Sequence, residues 1–183
     1  KISFYPNKYK IRPIDNGLEI RAFLADKQKR LWVASKKGNV TIYRPDGTLE
    51  GYLSPQGIIT PQEVTFGKSV YCFMEDKQGN IWMGTKKDGL ILLKKKNEHS
   101  YLLQQFVHQP QDTYSLSNNS VYSIIQDSHD NIWIACYGGG LNRLSHAPDG
   151  STNFIHSGNR LKNYPVSTSL KIRHIAEAPN GVL

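Results

Sequence analysis

Cysteine is scarce in this 183-residue sequence: Cys72 and Cys136 are the two, and they fall at unlike positions of the repeat described below. That removes a disulfide framework and leaves two buried free thiols as the expected state. No run approaches the roughly 18 consecutive apolar residues of a membrane-spanning helix. The first residues, Lys1-Ile2-Ser3-Phe4-Tyr5, lack the apolar core of a secretory leader. There is no Ser or Cys nucleophile elbow, no Gly-x-Gly-x-x-Gly phosphate loop between strand and helix, and no paired carboxylates for acid–base work. The six histidines, His99, His108, His129, His146, His156 and His174, show no His-x-x-x-His or comparable metal-ligand spacing. No catalytic residue, metal or cofactor is therefore expected. Acidic residues are also short, 15 against 23 Lys and Arg, for a net charge of +8. Such a balance favours an anionic partner, although a solvated basic surface explains it equally well. Nucleic acid has only the charge in its favour, since no helix is available to enter a groove, and binding to it is not expected.

Against these absences stands a repeat. Asp26-Lys27-Gln28-Lys29-Arg30-Leu31-Trp32-Val33-Ala34-Ser35 aligns with Asp76-Lys77-Gln78-Gly79-Asn80-Ile81-Trp82-Met83-Gly84-Thr85. Both align with Asp127-Ser128-His129-Asp130-Asn131-Ile132-Trp133-Ile134-Ala135-Cys136. All three tryptophans, Trp32, Trp82 and Trp133, share one slot at spacings of 50 and 51 residues. Each copy opens with a period-two strand (Ile20–Leu24, Val70–Met74, Val121–Ile125), turns tightly at Asp26, Asp76 or Asp127, and runs into the Trp strand. Third strands follow glycine-marked loops at Gly38, Gly89 and Gly140, and outer strands are expected near Leu49–Leu53, Tyr101–Val107 and Asn153–His156.

Four short strands per period of about 50 residues is a propeller blade. The fold expected is therefore all-β: about three and a half four-stranded antiparallel blades of a larger, seven-bladed β-propeller. Residues 1–19 would supply the outer strand of a preceding blade, 20–69, 70–120 and 121–171 three blades, and 172–183 the start of a truncated fourth, all in one propeller domain. Leu170–Ile175 would restart the innermost strand. Open blade edges at both ends make dimerisation an expectation.

Asn131-Ile132-Trp133-Ile134-Ala135-Cys136-Tyr137-Gly138-Gly139-Gly140-Leu141, with Ser117-Asn118-Asn119-Ser120-Val121 and Asp127 before it, resembles the two-component regulator propeller repeat. Residues 70–94 match as closely, through Asp76, Gly79, Trp82, Gly84, Thr85 and Gly89-Leu90. The first copy departs at Ala34-Ser35, and the fourth carries Ala178 in place of the Asp. The resemblance implies the periplasmic sensor of a hybrid histidine kinase/response regulator of the Bacteroidetes type. Such a sensor binds glycan-derived oligosaccharide, works as a homodimer and signals to kinase parts outside these residues. The similar Gly-Asn-hydrophobic-Trp turn of the streptogramin lyases supplies an enzymatic alternative, and a protein-interaction scaffold is a third.

Recurrence of the tryptophans in every copy marks them as inter-sheet packing, not as sugar platforms. Asp26, Asp76 and Asp127, each alone in its turn, read as turn-stabilising carboxylates. Ligand candidates are the residues that differ between copies. Lys36, Lys37, Lys86 and Lys87 fall at matching points of one rim with Tyr137 at the third, suiting an acidic oligosaccharide; a solubilising rim is the simpler account. Arg21, Tyr71, Tyr122 and Arg173 share a slot of the innermost strand and face either the channel or the sheet interior. Lys94-Lys95-Lys96 reads as the solvated start of an outer loop.

Overall fold

The computed structural model describes residues 19–183, in which all regular structure is β. The expected outer strand around Phe4-Tyr5-Pro6 lies outside the described residues. Strands β1 (Ile20–Ala25), β2 (Leu31–Ser35), β3 (Val40–Tyr43), β4 (Leu49–Leu53) and β5 (Ile59–Thr60) form the first sheet in sequence order. The second contains β6 (Val70–Glu75), β7 (Ile81–Thr85), β8 (Leu90–Lys95) and β9 (Tyr101–Phe106). The third contains β10 (Val121–Gln126), β11 (Ile132–Cys136), β12 (Gly140–His146) and β13 (Thr152–His156). Every neighbouring pair is antiparallel. The chain is an all-β propeller segment, as its period requires.

Three details differ from expectation. The first sheet has five strands: β5 adds to β4, and its neighbour Ile58 bridges to Ser100 beside β9 of the next sheet. The restart expected at Leu170–Ile175 is no strand, only a single bridge between Tyr137 and Lys171. A strand needs a partner ladder, and here Leu170 C=O already accepts from Gly138 and Gly140 N–H at 2.8 and 3.0 Å. The turn of that fourth copy is nevertheless formed. Ala178 N–H donates to Val182 C=O at 2.7 Å, as Asp127 N–H does to Asn131 C=O at 2.9 Å. Finally, Lys94 and Lys95 end β8 instead of opening a loop, and Lys95 pairs with Glu98 at 2.9 Å.

One polar unit builds each hairpin. The third turn residue takes a left-handed backbone, at φ 62° for Lys29, 84° for Gly79 and 69° for Asp130, which reverses the chain tightly. The leading carboxylate then accepts the amide of Arg30, Asn80 or Asn131, in each case at 2.8 Å. Its second oxygen takes the indole N–H of the repeat tryptophan, at 2.9 Å for Trp32 and Trp82 and 2.7 Å for Trp133. The ring is thereby held across the face of its sheet. Trp32 packs with Ile42, Val70, Ile81 and Tyr101 in a core between the first two sheets, and Trp82 with Leu116, Val121, Ile134 and Phe154 between the second and third. Close approach of the sheets explains Gly84. A Cβ there would lie 2.4 Å from the Cys72 sulfur and 2.6 Å from Val121 Cγ1.

A second device ties neighbouring blades. Glu75, Gln126 and Glu177, each just before the turn position of its copy, accept the amide of Lys27, Lys77 and Ser128 in the preceding turn at 2.6, 2.7 and 2.8 Å. Since an amide oxygen already does this work at Gln126, Glu75→Gln is expected to leave stability unchanged. Glu75→Ala should cost about 1 kcal/mol, the worth of one hydrogen bond. Asp76→Ala strands the Trp82 indole and the Asn80 amide and should cost about 3 kcal/mol. Urea unfolding midpoints of the three variants check that ranking; an Asp76→Ala protein as stable as Glu75→Gln would refute it.

Candidate functional site

At the start of each inner strand the ladder slips by one residue. The register runs from Ile20↔Ser35 to Ala22↔Ala34, from Val70↔Thr85 to Cys72↔Gly84, and from Val121↔Cys136 to Ser123↔Ala135. Arg21, Tyr71 and Tyr122 are the extra residues of these three β-bulges. A bulge re-aims the side chain it carries, so strict alternation no longer fixes their direction. Their side chains line up across the blades. The Arg21 guanidinium lies 5.9 Å from the Tyr71 ring centre, Tyr71 lies 4.9 Å from Tyr122, and Tyr122 lies 5.4 Å from Tyr137. Arg173 closes the row, 5.8 Å from the Tyr122 ring and 5.1 Å from the Tyr137 ring. Beside the row a cleft of about 300 Å³ is lined by Arg21, Tyr71, Tyr122, Phe23, Ser123 and His174, among others. Arg21, Tyr71 and Tyr122 thus line a cavity on the inner strands and do not fill the sheet interior, while Arg173, on no strand, is exposed beside Tyr122 and Tyr137.

The rim lysines are near the same mouth. The amides of Lys36, Lys86 and Tyr137 donate to the carbonyls of Glu19, Ser69 and Ser120, just before the inner strands, at 2.8 to 2.9 Å. All four lysines are exposed. Lys36 is paired with Glu19 at 2.9 Å, and Arg21 meets the same carboxyl group at 3.3 Å. Glu19 is held below the ordinary carboxylate range by Lys36 first, through hydrogen bond and charge, with a smaller contribution from Arg21. Tyr137 is joined to the inner row, and the lysines flank it.

Elsewhere the chemistry is quiet. Burial pushes the Cys72 and Cys136 thiols up to about 12, so both are protonated at neutral pH and neither is an activated nucleophile. They are free thiols, Cys136 fully buried. Among the described residues no three His, Cys, Asp or Glu side chains are placed to hold a metal ion. Glu177, three residues from His174, is engaged through both oxygens, with the Ser128 amide at 2.8 Å and its hydroxyl at 2.6 Å. Two participants escaped the sequence reading. Lys171 stands 6.0 Å from the Tyr137 ring centre, and Glu19 pairs with Arg21 at the opposite end of the row. The blade tie left a legible signal, an acceptor recurring every 51 residues at Glu75, Gln126 and Glu177.

Sheet topology and these shared inner strands define a segment of a β-propeller. Within it, residues 66–87 and 115–138 match the family model described as two component regulator propeller. Among solved structures it is similar to the extracellular domain of a hybrid two component system from B. thetaiotaomicron, at 22% identity and a TM-score of 0.61 over 89% of this chain. It is also similar to virginiamycin B lyase from Staphylococcus aureus, at 16% identity and a TM-score of 0.52 over 78% of the chain. A third similar structure is PorZ, a surface component of the type-IX secretion system of Porphyromonas gingivalis, at 19% identity and a TM-score of 0.50 over 69%. The chain spans 19%, 43% and 20% of the lengths of these three. Comparison with curated proteins gives no match.

The third hairpin carboxylate, Asp127, carries a pH dependence. Burial alone would raise the Asp127 carboxyl, but the indole of Trp133 and the Asn131 side chain and amide outweigh it and hold the group below 3.8. A carboxyl depressed on folding stabilises the native state above its ordinary value, and that contribution is lost as the pH falls through the folded value. Wild-type protein should therefore exceed Asp127→Asn in stability at neutral pH, with the gap narrowing as the pH drops below 3.8. Thermal melts of the two proteins from pH 7 to pH 2 test this; a gap that stays constant would contradict it.

Proposed function

We propose that this propeller segment is the ligand-reading part of an extracytoplasmic sensor, and that its ligand is a glycan-derived oligosaccharide with acidic character. The observation that carries the reading is the Arg21–Tyr71–Tyr122–Tyr137–Arg173 row, whose first three members line a cleft on the inner strands. Tyrosine faces offer amphipathic contact to the C–H faces of pyranose rings, and guanidinium groups bind carboxylate and sulfate. Lys37, Lys86 and Lys87 on the flanking rim add attraction at longer range. The repeat family and the similarity to an extracellular two-component domain favour a periplasmic location and a signal passed, in a homodimeric receptor, to a histidine kinase outside these residues.

Binding without turnover is the expected behaviour. A lyase would want His174 beside a second acid or base. The nearest carboxylate in sequence, Glu177, instead caps the Ser128 turn. Likeness to virginiamycin B lyase is one of fold. A scaffold role would leave the arginine–tyrosine row without a purpose.

Calorimetric titration of the full-length protein with acidic and neutral oligosaccharides, with product analysis of the same mixtures, tests the reading. Tyr122→Ala should weaken binding about tenfold, because it removes the central stacking face. Lys86→Ala with Lys87→Ala should weaken acidic ligands as salt does, since exposed charges are screened over about 8 Å at physiological ionic strength. Product formation would move the protein to the enzymes. No binding by any saccharide would leave the scaffold reading.

A further inference from the structure

The two ends of the tyrosine row are electrostatically unlike. Arg21 shares the Glu19 carboxylate with Lys36, at 3.3 and 2.9 Å, so one carboxylate offsets the cations at that end. At the other end Arg173 and Lys171 both stand over the Tyr137 ring, 5.1 and 6.0 Å from its centre, and neither has a carboxylate partner among the described residues. Glu177, the acidic residue nearest to them in sequence, is turned to Ser128. The backbone beneath the pair is anchored. Tyr137 bridges Lys171, and Leu170 C=O accepts from Gly138 and Gly140.

We infer that Arg173 and Lys171, gathered over Tyr137, form an anion subsite that receives a carboxylate or sulfate group of the ligand and so fixes its direction along the row. The inference rests on the oligosaccharide reading above for the rest of the ligand. A guanidinium lying on an aromatic face keeps its edge N–H groups free for bidentate contact with a planar or tetrahedral oxyanion. The ammonium of Lys171 adds a point charge. Pyranose rings beyond the acidic one then lie toward Tyr122 and Tyr71, and the Arg21 end takes a neutral sugar. The ligand class assigned is an oligosaccharide with one terminal acidic unit, a uronate or a sulfated sugar.

Phenylglyoxal labelling of arginines in the full-length protein, read by peptide mass spectrometry, tests this directly, because Arg21 and Arg173 are both exposed. Trigalacturonate, inorganic sulfate and maltotriose serve as carboxylate, sulfate and neutral probes. Arg173 labelling should slow at least threefold with trigalacturonate or sulfate and stay unchanged with maltotriose, while Arg21 labelling is slowed less than Arg173 by trigalacturonate and not at all by sulfate. Whichever anion protects identifies the group received. Arg173→Gln should weaken an acidic ligand about tenfold, the effect of losing a charge-assisted pair, and leave a neutral one within twofold. Equal protection of the two arginines, or none at Arg173 with either anion, overturns the subsite. Protection by sulfate in a protein that binds no oligosaccharide would uphold the subsite and remove the glycan reading; oligosaccharides bound with Arg173 unprotected would remove the subsite alone.

Discussion

The hydrogen bond from a tryptophan indole to the carboxylate that opens its own hairpin is the contact on which the blades depend. One carboxylate does three things at once: it caps the turn, takes up a buried N–H, and lays a large ring across the sheet. Without an acceptor the indole would be a costly polar group in an apolar seam. With it, the ring fills the space between two sheets that could not bury both faces alone. Trp32 and Trp82 are nearly inaccessible for this reason, and cores of Ile, Leu, Val and Phe assemble around them.

Everything functional follows from how that framework repeats. Because the blades are in phase, a residue at one slot of one inner strand lies beside its slot-mates in the next. A bulge at that slot then turns Arg21, Tyr71 and Tyr122 the same way. The result is a continuous arginine–tyrosine row assembled from residues about 50 apart in the chain. The rigid parts of each copy, Asp, Trp and the turn, leave this slot free to vary. Arg, Tyr, Tyr and Arg at positions 21, 71, 122 and 173 are what varies.

Electrostatics then gives the row a direction. A net charge of +8 says that the surface favours anions, but not where. Glu19 partly offsets Arg21 and Lys36 at one end, whereas the segment bridged to Tyr137 brings Arg173 and Lys171 to the other without a counter-charge among the described residues. The inter-blade tie through Glu75, Gln126 and Glu177 contributes indirectly. By holding Glu177 against Ser128 it keeps that carboxylate occupied away from the row.

Periodicity alone was enough for the blade. The strands, the turns at Asp26, Asp76 and Asp127 and the packing role of the tryptophans depend on residues close in sequence, and alternation and turn chemistry report those directly. The indole–carboxylate bond was within reach too, since both partners recur at a fixed separation of six residues. The strand expected at Leu170–Ile175 was not, because a strand exists only where a neighbour offers a ladder, and there the carbonyl of Leu170 is taken by a loop. Nor could alternation choose between channel and interior for Arg21, Tyr71, Tyr122 and Arg173. A bulge cancels the period-two rule at the first three of these positions, and Arg173 lies on no strand. The joining of Tyr137 to that row, the pairing of Lys36 with Glu19 and the approach of Lys171 all depend on distances between separate blades. A linear pattern carries no such distances until the sheets have packed.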